Sequence, residues 1–172
     1  MSAKNRENLR VSKQNKAKTN HKRKILVIID ETPECRRAVA FAAQHAQNTK
    51  KTLVLLCIVD SVEFQHFLGV NNVMRTEAIQ TAHKVLGEIA SDVRTTHSLE
   101  TQITVREGKK IDEIAKLIDE DKQIALFVLA ASEHTEGPGP LVQLIGNRGT
   151  AFSIPVIVIP SNLADEDIES IA

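Results

Sequence analysis

Residues 126–145 read LFVLAASEHTEGPGPLVQLI. An apolar run breaks into a polar, Gly/Pro-rich loop and then turns apolar again. In an α/β chain this is how a buried parallel strand delivers its carboxyl end to a ligand crevice, where backbone N–H groups and a helix start are at hand. The strand half is read as Ile124 to Ala130, and a short helical segment is expected near Leu141 to Ile145.

Working outward, the same grammar repeats. Downstream, a link containing Gly146 and Gly149 leads to IPVIVIP, a fifth strand expected over Ile154 to Pro160. Upstream, KILVIID from Lys24 to Asp30 is a continuous apolar run ending on a carboxylate, the pattern of a strand buried on both faces. Thr32 is a candidate cap for a helix starting at Pro33, with Glu34 in the favourable first turn. That helix runs to about Gln47 with Cys35, Ala38, Val39, Ala42 and Ala46 on one face. TLVLLCIV, Thr52 to Val59, is a second buried strand followed by Asp60, then by a long loop, Ser61 to Asn72, holding Phe64, His66, Phe67 and Gly69.

A long helix is expected from Val73 to Arg94, with Ala78, Ala82, Val85, Leu86, Ile89 and Val93 along one stripe. Gln102 to Glu107 alternates as a half-buried edge strand with Ile103 and Val105 facing one way. Ile111, Ile114, Ala115 and Ile118 mark a third helix. Five apolar strands separated by helical patterns predict an α/β fold: an open parallel sheet with helices on both faces, joined by right-handed crossovers.

The 172 residues suit one domain with a real core. Formal net charge is zero, yet residues 1–24 hold nine Lys/Arg against one acid, leaving the other 148 residues at −8. Residues 1–23 are expected to be a disordered basic tail, because they have too few apolar groups to offset ordering entropy. Besides simple solvation, such a tail suits an anionic partner or a targeting role. The last segment, 161–172, is an acidic tail or a short helix seated by Leu163, Ile168 and Ile171.

No run reaches the ~20 apolar residues that cross a bilayer, so no membrane span is expected. Two cysteines without a C-x-x-C spacing point to a reducing, cytoplasmic setting. The absence of Trp and Tyr argues against base-stacking recognition of single strands. No His pair has ligand spacing, so no metal site is expected beyond a magnesium carried by a bound nucleotide. His66 and His134 fall on expected loops and have two readings, crevice-facing or plain surface histidines. Cys35 has two readings: a thiol acidified by the helix dipole, or a small residue packed on the apolar stripe. A phospho-acceptor receiver domain would need an Asp after the third strand and a Lys after the fifth, where Glu107 and Pro160 stand. No nucleophile motif or paired acid–base arrangement supports a hydrolase.

Four landmarks together resemble the universal stress protein family over roughly Lys24 to Pro160: Asp30-Glu31-Thr32, LLCIVD, VREGKKIDEIAKLI and the closing PVIVIP. The resemblance implies strand order 3-2-1-4-5, with the domain spanning 24–160. It also implies a crevice that brings Asp30 and the 126–145 loop together. Many members of that family bind ATP or AMP through G-x-x-G, about nine residues, then G-S/T, and here those places hold Ala130-Ala131-Ser132-Glu133 and Gly137-Pro138-Gly139-Pro140.

By carry-over, Asp30 and Thr32 would meet the ribose region and the Ile58 backbone the adenine. Ala130, Ser132, Gly137 and Gly139 would stand in the altered phosphate loop; alternatively Ser132, His134, Gly137, Gly139 and Arg148 form a different anion site with His134 and Arg148 as its charges, or the loop serves the fold alone. The resemblance also implies a homodimer through the fifth strand. The expectation is a stress-response binding or regulatory module without catalytic machinery; its alternative is an ATP- or AMP-binding member with slow or no hydrolysis.

Overall fold

The computed structural model describes residues 23–30, 32–60, 71–132, 137–147 and 152–172. The basic tail before Arg23, the loop residues Phe64, His66, Phe67 and Gly69, and Glu31, Glu133, His134 and Arg148 lie outside them.

Five strands form one sheet: β1 Lys24–Ile29, β2 Thr52–Val59, β3 Thr101–Glu107, β4 Ile124–Ala130 and β5 Val156–Ile159. They are parallel throughout and ordered β3-β2-β1-β4-β5, as the resemblance implies. The helices are α1 Cys35–Asn48, α2 Asn71–His97, α3 Lys110–Glu120, α4 Pro140–Asn147 and α5 Asp165–Ile171.

The continuous apolar runs become central strands because each face of the sheet carries its own core. Ile25, Val27 and Ile29 alternate with Leu26 and Ile28 along β1. The first set packs with Leu53, Leu55 and Val128 against α1, α2 and α5; the second packs with Leu56, Phe127 and Leu129 against α3. Side chains two apart share a face, so one apolar strand serves both layers.

Three differences from the sequence expectations have physical causes. The first helix begins at Cys35, and Thr32 does not cap it with its side chain. Asp30 captures that residue instead: its Oδ1 accepts from the Thr32 N–H (3.1 Å) and hydroxyl (2.5 Å). Residues 32–34 become a tight turn whose carbonyls accept from Cys35, Arg36 and Arg37.

The long helix is 27 residues against eight in β2. At ~1.5 Å per helical residue and ~3.3 Å per strand residue, it overshoots the sheet. Its buried stripe is Ala82, Leu86, Ala90 and Val93, while Val85 is 37% exposed and Val73 61%.

The fifth strand shrinks to Val156–Ile159 because Pro155 and Pro160 have no N–H to give a ladder. The Pro155 carbonyl still accepts from the Phe127 N–H (3.0 Å). The C-terminal segment forms α5, docked on α1 by Ile168, which is 4% exposed, and by an Arg37–Asp165 ion pair. The His45 ring, stacked on Phe41, meets the Ala172 carbonyl at 3.0 Å.

Candidate functional site

The sheet's neighbouring strands β1 and β4 lead to helices on opposite faces, which opens a crevice past their carboxyl ends. It has a volume of about 1340 Å³. That exceeds the ~300–1,000 Å³ typical of a small-molecule pocket.

One wall is the end of β1 and β2: Asp30, Thr32 and the buried Ile58 face the crevice. The opposite wall is the 126–145 segment, contributing Ala130, Ser132, Gly137 and Gly139. Every candidate site residue within the described part of the chain therefore lines one cleft; His134 is outside the described residues.

The loop wall is closed on itself. Gly137 and Gly139 take φ of +126° and +94°, values that a side chain resists, and a Cβ on Gly139 would stand 3.3 Å from the Ser132 Cβ. These bends turn the Pro138 carbonyl towards Ser132, whose N–H donates to it at 3.1 Å. The Ser132 hydroxyl donates to Glu34 Oε1 at 3.3 Å. Helix α4 begins on Pro140, which has no N–H, so this helix start offers one fewer donor to an anion.

Sequence reasoning placed Glu34 only as a favourable charge in a helical first turn. Its bond to Ser132 joins residues 98 apart in the chain, and no local signal announces it. Lys109 and Lys110 were likewise missed. They follow Gly108 at the turn into α3 and bring cations to the β3 side of the crevice, where Asp60 and Asp112 also stand. A lysine pair directly after a strand-ending glycine was the available signal.

Cys35 lies on the crevice floor, and burial pushes its thiol up from 9.0 to about 11. Desolvation outweighs the lowering by the Asp30 backbone hydrogen bond and the Arg36 charge, and the thiol donates to the Ile28 carbonyl (3.7 Å), so the packed reading describes it. Glu107 is held by the Arg75 guanidinium through paired N–H donors, which lowers its carboxyl below the usual range. Among the described residues, no three His, Cys, Asp or Glu side chains gather as metal ligands, and no helix is long and apolar enough to cross a membrane.

A model of the universal stress protein family matches residues 22–145. The chain belongs to that family. Its fold is close to that of universal stress protein UspA from Lactobacillus plantarum, at 21% identity and a TM-score of 0.69, covering 82% of this chain and 99% of that one. The universal stress protein from Archaeoglobus fulgidus, solved in complex with dAMP, matches at 19% identity and TM-score 0.59 over 80% of this chain and 97% of its own. A further universal stress protein, solved in complex with cAMP, matches at 14% identity and TM-score 0.58, covering 82% and 98%. No curated protein matches this family member by sequence.

Proposed function

We propose that this universal stress protein is a binding and regulatory module whose crevice takes the nucleoside part of an adenine nucleotide, with AMP or adenosine favoured over ATP and no turnover. One observation carries this: the β1–β2 wall keeps Asp30 and Ile58 on the crevice, whereas on the loop wall Ser132 gives its N–H to Pro138 and its hydroxyl to Glu34. A triphosphate laid against Ser132 would have to break its N–H bond to Pro138 and approach the Glu34 carboxylate. A monophosphate or a bare nucleoside avoids most of that cost.

Two relatives of the same fold carry mononucleotides, cAMP and dAMP, which supports the same class of ligand here. Among the described residues that line the crevice, the cations for a single phosphate are Lys109 and Lys110. Asp30 is suited to a ribose hydroxyl, because a carboxylate that already accepts from Thr32 still has free lone pairs. The assembly that goes with this reading is a homodimer through the β5 edge.

Calorimetric titration with adenosine, AMP and ATP tests the reading. AMP is expected to bind at least as tightly as ATP, and Asp30→Ala to weaken AMP about tenfold, equivalent to about 1.4 kcal/mol. Glu34→Gln is expected to raise ATP affinity more than AMP affinity. No heat from any of the three ligands, or ATP binding more than tenfold tighter than AMP, defeats the proposal.

A further inference from the structure

Helix α4 turns Leu141, Val142 and Ile145 onto the core, beside Phe152, Ile154 and Val156. Gln143 lies between them in sequence but stays exposed, and it lines the crevice. Helical side chains lean towards the start of their helix, so this residue of the first turn reaches back over the loop that precedes α4. The contact is with Gly137: a Cβ added there would stand 2.8 Å from the Gln143 Nε2 and 3.9 Å from its Cδ. The carboxamide occupies the space that the glycine leaves open. Gly137 is therefore required twice, by its φ of +126° and by the amide lying over it.

Polar side chains are few on this wall. Among the described residues 126–132 and 137–147 there is no Lys, Arg or His, and the polar side chains are Ser132, Gln143 and, at the far end of α4, Asn147. The Ser132 N–H and hydroxyl are given to Pro138 and Glu34. The backbone N–H of Gln143 enters the helix ladder through the Gly139 carbonyl (3.1 Å). Its carboxamide has no hydrogen-bond partner among the described residues, and that group carries two N–H donors. Held against Gly137, it is restrained before a ligand arrives, which lowers the entropy cost of a bond made to it.

Place along the crevice decides what this donor would meet. Strand β1 separates β2 from β4, so Ile58 and the end of β4 lie two strands apart, roughly 10 Å at ~4.8 Å per strand. With the base on Ile58 and the ribose on Asp30, the group beyond the ribose falls on the β4 side, where Gln143 stands. Helix α3 packs on α4 and brings Lys109 and Lys110 to the same crevice. The two sources complement each other. A lysine supplies charge with little direction, whereas a carboxamide supplies a directed donor without charge.

We propose that Gln143 sets the choice between a phosphorylated and a bare nucleoside: its carboxamide donates to a phosphate oxygen of the mononucleotide, while Lys109 and Lys110 supply the charge. This rests on the nucleoside reading of the crevice and adds to it the side chain that recognises the phosphate.

Titration calorimetry of the full chain with adenosine and with AMP, at one ionic strength, tests the role. Gln143→Met keeps the length of the side chain and its packing on Gly137 but removes both donors. It is expected to weaken AMP about tenfold, the worth of a hydrogen bond to a charged group, and to leave adenosine within about twofold. Gln143→Glu should weaken AMP further, through like charge beside the phosphate, and again spare adenosine. Gln143→Lys should restore AMP binding, and unfolding midpoints establish that all three variants are folded. A Gln143 that only shapes the loop would shift adenosine and AMP by the same factor. That outcome overturns the proposal, as does unchanged AMP affinity in Gln143→Met. Either result leaves the nucleoside reading standing, whereas no heat from either ligand with the wild-type chain defeats both.

Discussion

Cys35 opens a helix and is only 4% exposed, so desolvation works against the Asp30 backbone hydrogen bond and the Arg36 charge at one sulfur. Burial dominates and raises its pKa to about 11. An acid whose pKa is raised by folding keeps its proton in the native state after the unfolded chain has lost it. Stability from this group is therefore complete below about 9 and falls as pH rises towards about 11. Two units of difference correspond to about 2.7 kcal/mol. Urea unfolding at either end of that window should show the loss in the wild-type protein and a smaller loss in Cys35→Ala; equal losses would show that the thiol is not responsible. At the same scale, Glu34 and Ser132 show how one hydrogen bond changes what a loop can hold, because a hydroxyl and a carboxylate satisfied by each other no longer face a phosphate in the same way.

The terminal helix α5 is only seven residues long, below the length at which a helix is stable alone. It has three acids in its first turn, which suits the dipole. What holds it is Ile168, buried in the core formed by α1 and α2, together with the Arg37–Asp165 pair at its start and the His45 contact at its end. The exposed ion pair contributes little, so apolar burial is the main attachment. Ile168→Ala should cost about 2–4 kcal/mol in urea-induced unfolding, whereas Asp165→Ala should cost less than about 1 kcal/mol. Comparable losses from the two changes would contradict this ranking.

Across the whole molecule, the parallel sheet has two unlike ends and two unlike edges. The carboxyl end opens into the crevice; the amino end carries Arg23, Lys24 and Lys51, with Asp121 paired to Lys24. The β3 edge has an exposed Ile103, at 40%, but also Arg106 tied to Glu113 and Glu120, which puts charge beside it. The β5 edge has a half-buried Val156 and Ile157 and a 39% exposed Val158, between two prolines that limit any added ladder to a short one. An apolar edge of this kind is best covered by a second copy. Sedimentation should find a dimer for the wild-type chain and a monomer for Val158→Lys. A monomer in both cases would remove β5 as the assembly edge.

The sequence by itself determined the elements and the layers. KILVII, TLVLLCIV and IALFVLA are apolar on both alternating faces, and only a sheet covered on both sides can bury them. The resemblance then supplied the strand order, and with it the crevice shared by Asp30 and the 126–145 loop. Boundaries were less legible where prolines or overhang decide them, as at β5 and at the start of α2. The loss of side-chain capping by Thr32, the closure of Ser132 on Pro138 and Glu34, and the register that sets Lys24 between Thr52 and Ile124 were decided only by the tertiary structure. Periodicity records which side chains leave water, because burial repeats with the backbone. The partner a polar group finds is set by which distant strand or helix end the register places next to it, and no local pattern encodes that.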